Sequence, residues 1–268
     1  MLVSQKPLAL TCFAGLGVVT AGGGCGLLDD TLDVAGSGRV EVFALHHGTP
    51  DDGEFPILAP HDEADWRVFE NDRGQEIRFA DGFRSFQGVD LIGCDGSSHP
   101  LELQYGRARF ESFCDTHDLL STTLGWANVP AGDYCNIDIH YGPYQFPPPG
   151  GSSKEPRPDV PDMDGMTAMV RITEEDEGNQ IEWADDFEMT VTRSLEEIEN
   201  GSPLGVRTGD TNANRLAVTI TYDRLLDGVD LTKSNADVED AVKDGLREYT
   251  GVMWNTSLED PEAIFYDE

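Results

Sequence analysis

The chain has 268 residues, enough for one large domain or two small ones, and 38% of them are hydrophobic, enough for a packed core. Its 51 acidic and 18 basic residues give a net charge of −33. That balance excludes nucleic acid as a partner, because phosphates select Lys and Arg, and excludes docking of the bare protein surface on an anionic membrane. Most of these acids read as a solubilising surface.

Residues 1–24 contain no acid. Lys6 gives a short basic start, residues 8–21 are mostly apolar, and Ala21, Gly22, Gly23 and Gly24 precede Cys25. This is the layout of a secretory signal peptide, too short to span a membrane. It resembles a bacterial lipoprotein signal, in which the cysteine becomes the lipidated first residue. Gly22 departs from that pattern, standing where leucine is usual. The rival reading is ordinary cleavage after Ala21. Lipidation of Cys25 leaves Cys94, Cys114 and Cys135 in the mature chain; ordinary cleavage leaves four cysteines. Either way an exported protein keeps disulfides.

After a tether to residue 37, residues 38–268 read as one β-sandwich domain. Residues 39–45 alternate through Val40, Val42 and Ala44 as a first strand. Residues 46–65 carry three prolines and several acids and read as a long loop, often a functional feature. Trp66 and Val68 open a second strand, residues 71–74 turn, Ile77 and Phe79 form a third, and residues 86–94 a fourth that ends at Cys94. Leu101, Leu103 and Tyr105 suggest a fifth, while residues 107–123 fit a short helix or a loop.

Residues 129–141, V-P-A-G-D-Y-C-N-I-D-I-H-Y, stand out. A Pro-Gly-Asp turn opens a strictly alternating run, with Cys135, Ile137, Ile139 and Tyr141 on one face. This run reads as the central strand. A Pro-rich connection follows near residues 146–161. Alternation returns at Met166 to Ile172, Phe187 to Val191 and Leu216 to Tyr222. The one convincing helix is Ala236–Tyr249: Val238, Ala241, Val242, Leu246 and Tyr249 share a face, Ser234 and Asp237 offer a capping box, and Gly251 offers a stop. The expected fold is therefore mainly β, an antiparallel β-sandwich with one principal C-terminal helix.

Several motifs carry a resemblance to predicted outer-surface lipoproteins of myxobacteria and their relatives. They are F-Q-G-V-D-L-I-G-C ending at Cys94, V-P-A-G-D-Y-C with Cys135, and H-Y-G-P ending at Pro143, with D-M-D-G-M-T from Asp162 and L-L-D-G-V-D from Leu225. Cys94 and Cys135 both fall in these motifs and in expected core strands, so the two are expected to form a disulfide. A fainter similarity runs to the methanobactin-partner-like periplasmic copper-binding family, where a P-A-G-x-Y turn also opens a strand. It implies copper without assigning ligands to positions here.

All six histidines lie in the first half of the mature chain, and His46, His47, His61, His117 and His140 are the candidate ligands for copper or another metal. No metal-ligand spacing supports them, and solvated histidines are the competing reading. No hydrolase elbow, phosphate loop, dinucleotide fingerprint or calcium loop occurs. Cys114 beside Asp115 and His117 reads as a disulfide partner or an inert thiol rather than a nucleophile. The reading is an exported, acidic β-sandwich with a binding or structural role and no catalysis. Cys25 anchors it by lipid to the outer membrane of a Gram-negative cell. The alternative is copper or other metal binding through the histidine-bearing half.

Overall fold

In the computed structural model the described residues are 36–50, 67–101, 110–113, 121–145, 163–174, 178–196, 202–208, 214–232 and 236–254. The signal segment, Cys25, most of the tether, His61, Cys114, His117 and the Pro-rich connection lie outside them. The first half contains β1 (Ser37–His47), β2 (Arg67–Glu70), β3 (Glu76–Gly93), β4 (Ser98–Pro100), β5 (Phe110–Ser112), β6 (Thr122–Pro130) and β7 (Gly132–Tyr141). The second contains β8 (Ala168–Glu174), β9 (Gln180–Asp185), β10 (Met189–Ser194), β11 (Leu204–Val206), β12 (Asn214–Thr221), α1 (Ala236–Tyr249) and β13 (Thr250–Trp254).

The strands form two sheets. The smaller runs β13-β12-β1-β6; the larger has the path β10-β7-β3-β8-β9, with β2, β4 and β5 added on β3 and β11 on β7. Pairing is antiparallel except between β1 and β12, which run parallel in register from Val40 opposite Asn214 to His47 opposite Thr221. Among the described residues the architecture is thus mainly β with one α-helix near the C-terminus, as the alternation implies, with one parallel pair added. The main apolar core draws on both sheets: Val40, Val42 and Leu216 from one, Ile77, Phe79, Ile137 and Ile139 from the other; a smaller cluster gathers Phe83, Phe110, Tyr144, Met163 and Met169. Val238, Val242 and Leu246 of α1 are buried in the main core, four residues apart on one helical face.

Several expectations need correcting. Within residues 107–123, where the sequence suggests a short helix or a loop, Phe110–Ser112 form β5 and β6 starts at Thr122. The third and fourth strands are one strand, β3, and β3 rather than β7 organises the larger sheet, since it pairs with β2, β4, β5, β7 and β8. Bulges are the reason. Register shifts fall between Phe79 and Asp81 and between Phe86 and Gly88. Each extra residue breaks the strict alternation without ending the strand. Gly82 fits the bent middle: a Cβ there would lie 2.1 Å from Phe79 Cε1 and 2.8 Å from Phe113 Cδ2.

The 129–141 stretch is a corner as well as a strand. β6 belongs to the smaller sheet and β7 to the larger, so the chain changes sheets at Ala131. The Ala131 N–H donates to the Gly36 carbonyl, and the Tyr134 hydroxyl donates to the Pro130 carbonyl at 2.7 Å, bracing the corner. Ile137, Ile139 and Tyr141 are buried as the alternation requires. Tyr134 is buried too, against the expected face, because the register against β3 shifts between Ile92 and Gly93. At the far end, the helix does not stop at a glycine turn; the chain passes from Tyr249 straight into β13.

Candidate functional site

Two neighbouring strands of the larger sheet carry matching tetrapeptides of opposite charge. β3 holds F-R-S-F at residues 83–86 and β5 opens F-E-S-F at residues 110–113. Antiparallel pairing puts Arg84 directly opposite Glu111. Both side chains are fully buried. The Arg84 Nε donates to Glu111 Oε2 at 2.7 Å, and Nη2 lies 2.6 Å from the same oxygen. The remaining guanidinium donors are met in turn. Nη1 reaches the Tyr141 hydroxyl at 2.9 Å and the Thr219 carbonyl at 3.1 Å; Nη2 reaches the carbonyls of Leu45 and Val218 at 3.1 and 3.0 Å. Arg84 therefore ties the larger sheet to β1 and β12 of the smaller one.

The other Glu111 oxygen, Oε1, lies 3.1 Å from His46 Nδ1. A carboxylate only accepts, so Nδ1 carries the hydrogen. His46 is fully buried, its ring edge-on to Phe113 and Tyr222 at centroid distances of 5.9 and 5.8 Å. His47 is 2% exposed, with Nδ1 donating to the Gly48 carbonyl at 2.8 Å. Burial is the main force on His47 and lowers its pKa to about 4, with smaller downward pushes from His46 and Arg84. Burial works against charge on Glu111 and on Arg84 as well. The Arg84 guanidinium and His46 nevertheless hold the Glu111 carboxyl below its ordinary range, and Glu111 and Tyr141 hold Arg84 above its own. The arrangement is a closed ion pair with an imidazole appended. Hydroxyls extend it: Tyr141 pairs with Thr250 Oγ1 at 2.8 Å, and Thr250 donates to the Leu246 carbonyl of α1 at 2.6 Å.

Of the five candidate metal ligands, His46 and His47 end β1 in the interior. His140 lies on the outer face of β7, with Nδ1 2.9 Å from Thr190 Oγ1 and Nε2 3.6 Å from Asp90 Oδ1. The described structure does not bring His140 to the buried pair; His61 and His117 lie outside the described residues. Sequence reasoning missed Arg84 and Glu111. The doubled F-x-S-F frame, with opposite charges at the same place, was the available signal.

The second feature is a cysteine pair. Cys94 lies at the tip of the β3–β4 hairpin, and its sulfur is bonded to that of Cys135 on β7, the disulfide expected from the motifs. The Leu195 N–H donates to the Cys135 carbonyl at 2.8 Å, which places Glu196 beside the bridge, Oε1 3.2 Å from Cys135 Sγ. Among the described residues, Cys94, Cys135 and Glu196 are the one set of three His, Cys, Asp or Glu ligand atoms within 4.8 Å of one another.

No family model matches the chain, and no curated protein matches it. The lipoprotein resemblance thus gains no support here. Among solved structures, MbnP from Methylosinus trichosporium is similar at a TM-score of 0.38 and 12% identity, over 82% of this chain and 99% of that one.

Proposed function

We propose that this chain is an exported, lipid-anchored β-sandwich whose role is binding or structural rather than catalytic. The Cys94–Cys135 bridge is the observation that carries the reading. Disulfides persist in oxidising compartments and are rare in the cytosol, so a cystine joining the β3–β4 turn to β7 supports an exported life. Arg84 and Glu111, a fully buried ion pair, are bonded to protein partners, which suits a structural role. A surface of net charge −33 is repelled by anionic lipid, so residence at a membrane requires an anchor, and Cys25 behind a signal-like segment supplies one. Gly26 follows it, where an aspartate commonly retains lipoproteins at the inner membrane, so the destination is the outer membrane.

Wild type and Cys25→Ser are expressed in a Gram-negative host and fractionated. Wild type is expected in the outer-membrane fraction and the variant in the soluble periplasm. Soluble periplasmic wild type refutes the anchor; cytosolic wild type refutes export. Copper held by the histidine-bearing half is the second reading, and metal analysis of protein from native cells tests it. Stoichiometric copper would replace the structural role with a copper-binding one.

A further inference from the structure

Glu196 stands where a bridged cysteine gives it nothing. A cystine sulfur has no hydrogen to donate, yet the Glu196 carboxylate oxygen lies 3.2 Å from Cys135 Sγ. In the reduced pair the same contact joins a thiol donor to an acceptor, or two ligands to one cation. The Leu195 N–H bond to the Cys135 carbonyl sets the Glu196 backbone beside Cys135. Asp95, next to Cys94 in the hairpin, accepts from Ser97, and Asp133, two residues before Cys135, pairs with Arg207 at 2.9 Å. Cys94 is exposed, so a reductant has access.

We propose that Cys94, Cys135 and Glu196 form a redox-gated zinc site, closed as the disulfide and opened by reduction. The opening step is thiol–disulfide exchange with a dithiol carrier: the Cys94–Cys135 bond breaks, the carrier's two thiols become its disulfide, and their two protons pass to the cysteines. Zinc binding then displaces both thiol protons to solvent, leaving two thiolates and one carboxylate on the metal, with water in the fourth tetrahedral position. Two thiolates with one hard oxygen suit Zn(II). Zinc–sulfur bonds of ~2.3 Å at a tetrahedral angle put the sulfurs roughly 3.8 Å apart. The Cα atoms are 4.9 Å apart in the bridge, and rotation about the two Cα–Cβ bonds separates the sulfurs once it opens.

The test uses the full chain carrying Cys12→Ser, Cys25→Ser and Cys114→Ser, so that one cysteine pair remains. Zinc binding is measured on the oxidised form and on the form reduced by a phosphine, which takes up oxygen from water and leaves two thiols. The reduced form is expected to bind one zinc at least about 100-fold more tightly than the oxidised form. Cobalt(II) in place of zinc is expected to show a thiolate charge-transfer band. Glu196→Gln leaves the bridge intact, so its oxidised form is expected to melt with wild type, while its reduced form loses zinc affinity by about 10-fold or more. Equal zinc binding by both redox forms overturns the proposal. So does a Glu196→Gln variant with unchanged affinity, or a reduced chain that is unfolded and that zinc does not refold.

Discussion

At the residue scale the informative groups are buried and charged. Arg84 and Glu111 are desolvated together, and removing one partner strands the other. Arg84→Met is therefore expected to lower unfolding free energy by about 3–5 kcal/mol, and adding Glu111→Gln to recover part of it, because the double variant buries no net charge. Urea unfolding of the two variants checks this; a double variant no more stable than the single one contradicts it. His47 makes a separate prediction. Its pKa falls from 6.5 in the unfolded chain to about 4 in the fold, so across that window the unfolded chain binds more protons. Stability from this group is complete above about pH 6.5 and is lost as pH falls toward 4, by roughly 3 kcal/mol in all. Asp223 acts in the opposite sense, since burial raises its pKa and acidification relieves a cost. Comparing wild type with His47→Gln isolates the histidine: the variant is expected to lose less stability between pH 7 and pH 4, and parallel curves would contradict the assignment. The histidines could be named as candidates from sequence. Their fates could not, because alternation marks a face and does not reveal that Glu111, 65 residues away from His46, closes on it.

At the element scale β3 carries the larger sheet, and its bulges and Gly82 let one long strand bend. Gly82→Ala is expected to cost about 1–3 kcal/mol, since the new methyl group meets the rings of Phe79 and Phe113, both buried. Thermal melting checks this; an unchanged midpoint would show that those rings give way freely. The disulfide pins the end of β3 to β7 over a sequence separation of 41 residues. In the chain-entropy model it contributes about 4 kcal/mol, so Cys94→Ser with Cys135→Ser is expected to lower stability by up to that amount. A double variant as stable as wild type would show that the strands hold equally well without the bridge. The alternating half of β7 and the apolar face of α1 were legible because the period is clean there. β9, β11 and β13 were not. Ile181 and Trp183 mark only a short run, Leu204–Val206 has three residues, and Thr250–Trp254 follows the helix with no intervening turn. Val68 did mark a strand, yet it is 42% exposed, since alternation locates a strand without saying what covers its face.

For the whole molecule, charge and compartment set the terms. Repulsion within a chain of net charge −33 weakens the fold in dilute buffer, and counterions screen it. The melting temperature is expected to rise from dilute buffer to molar sodium chloride; a flat or falling trend would mean that close ion pairs such as Lys243 with Asp185 outweigh the long-range field. The β-sandwich was legible as a class from many short alternating runs. The division into two sheets was not, because the turn at Ala131 that passes the chain between them reads like any hairpin turn. The central proposal is an exported chain held by lipid at Cys25, with Cys94 and Cys135 bridged. Mass spectrometry of peptides from protein recovered from native membranes, digested without reduction, tests it most directly. The account predicts an N-terminal peptide that begins at an acylated Cys25 and a peptide pair joined through Cys94 and Cys135. An unlipidated chain beginning at Gly22, or one still beginning at Met1 with both cysteines as thiols, would contradict it.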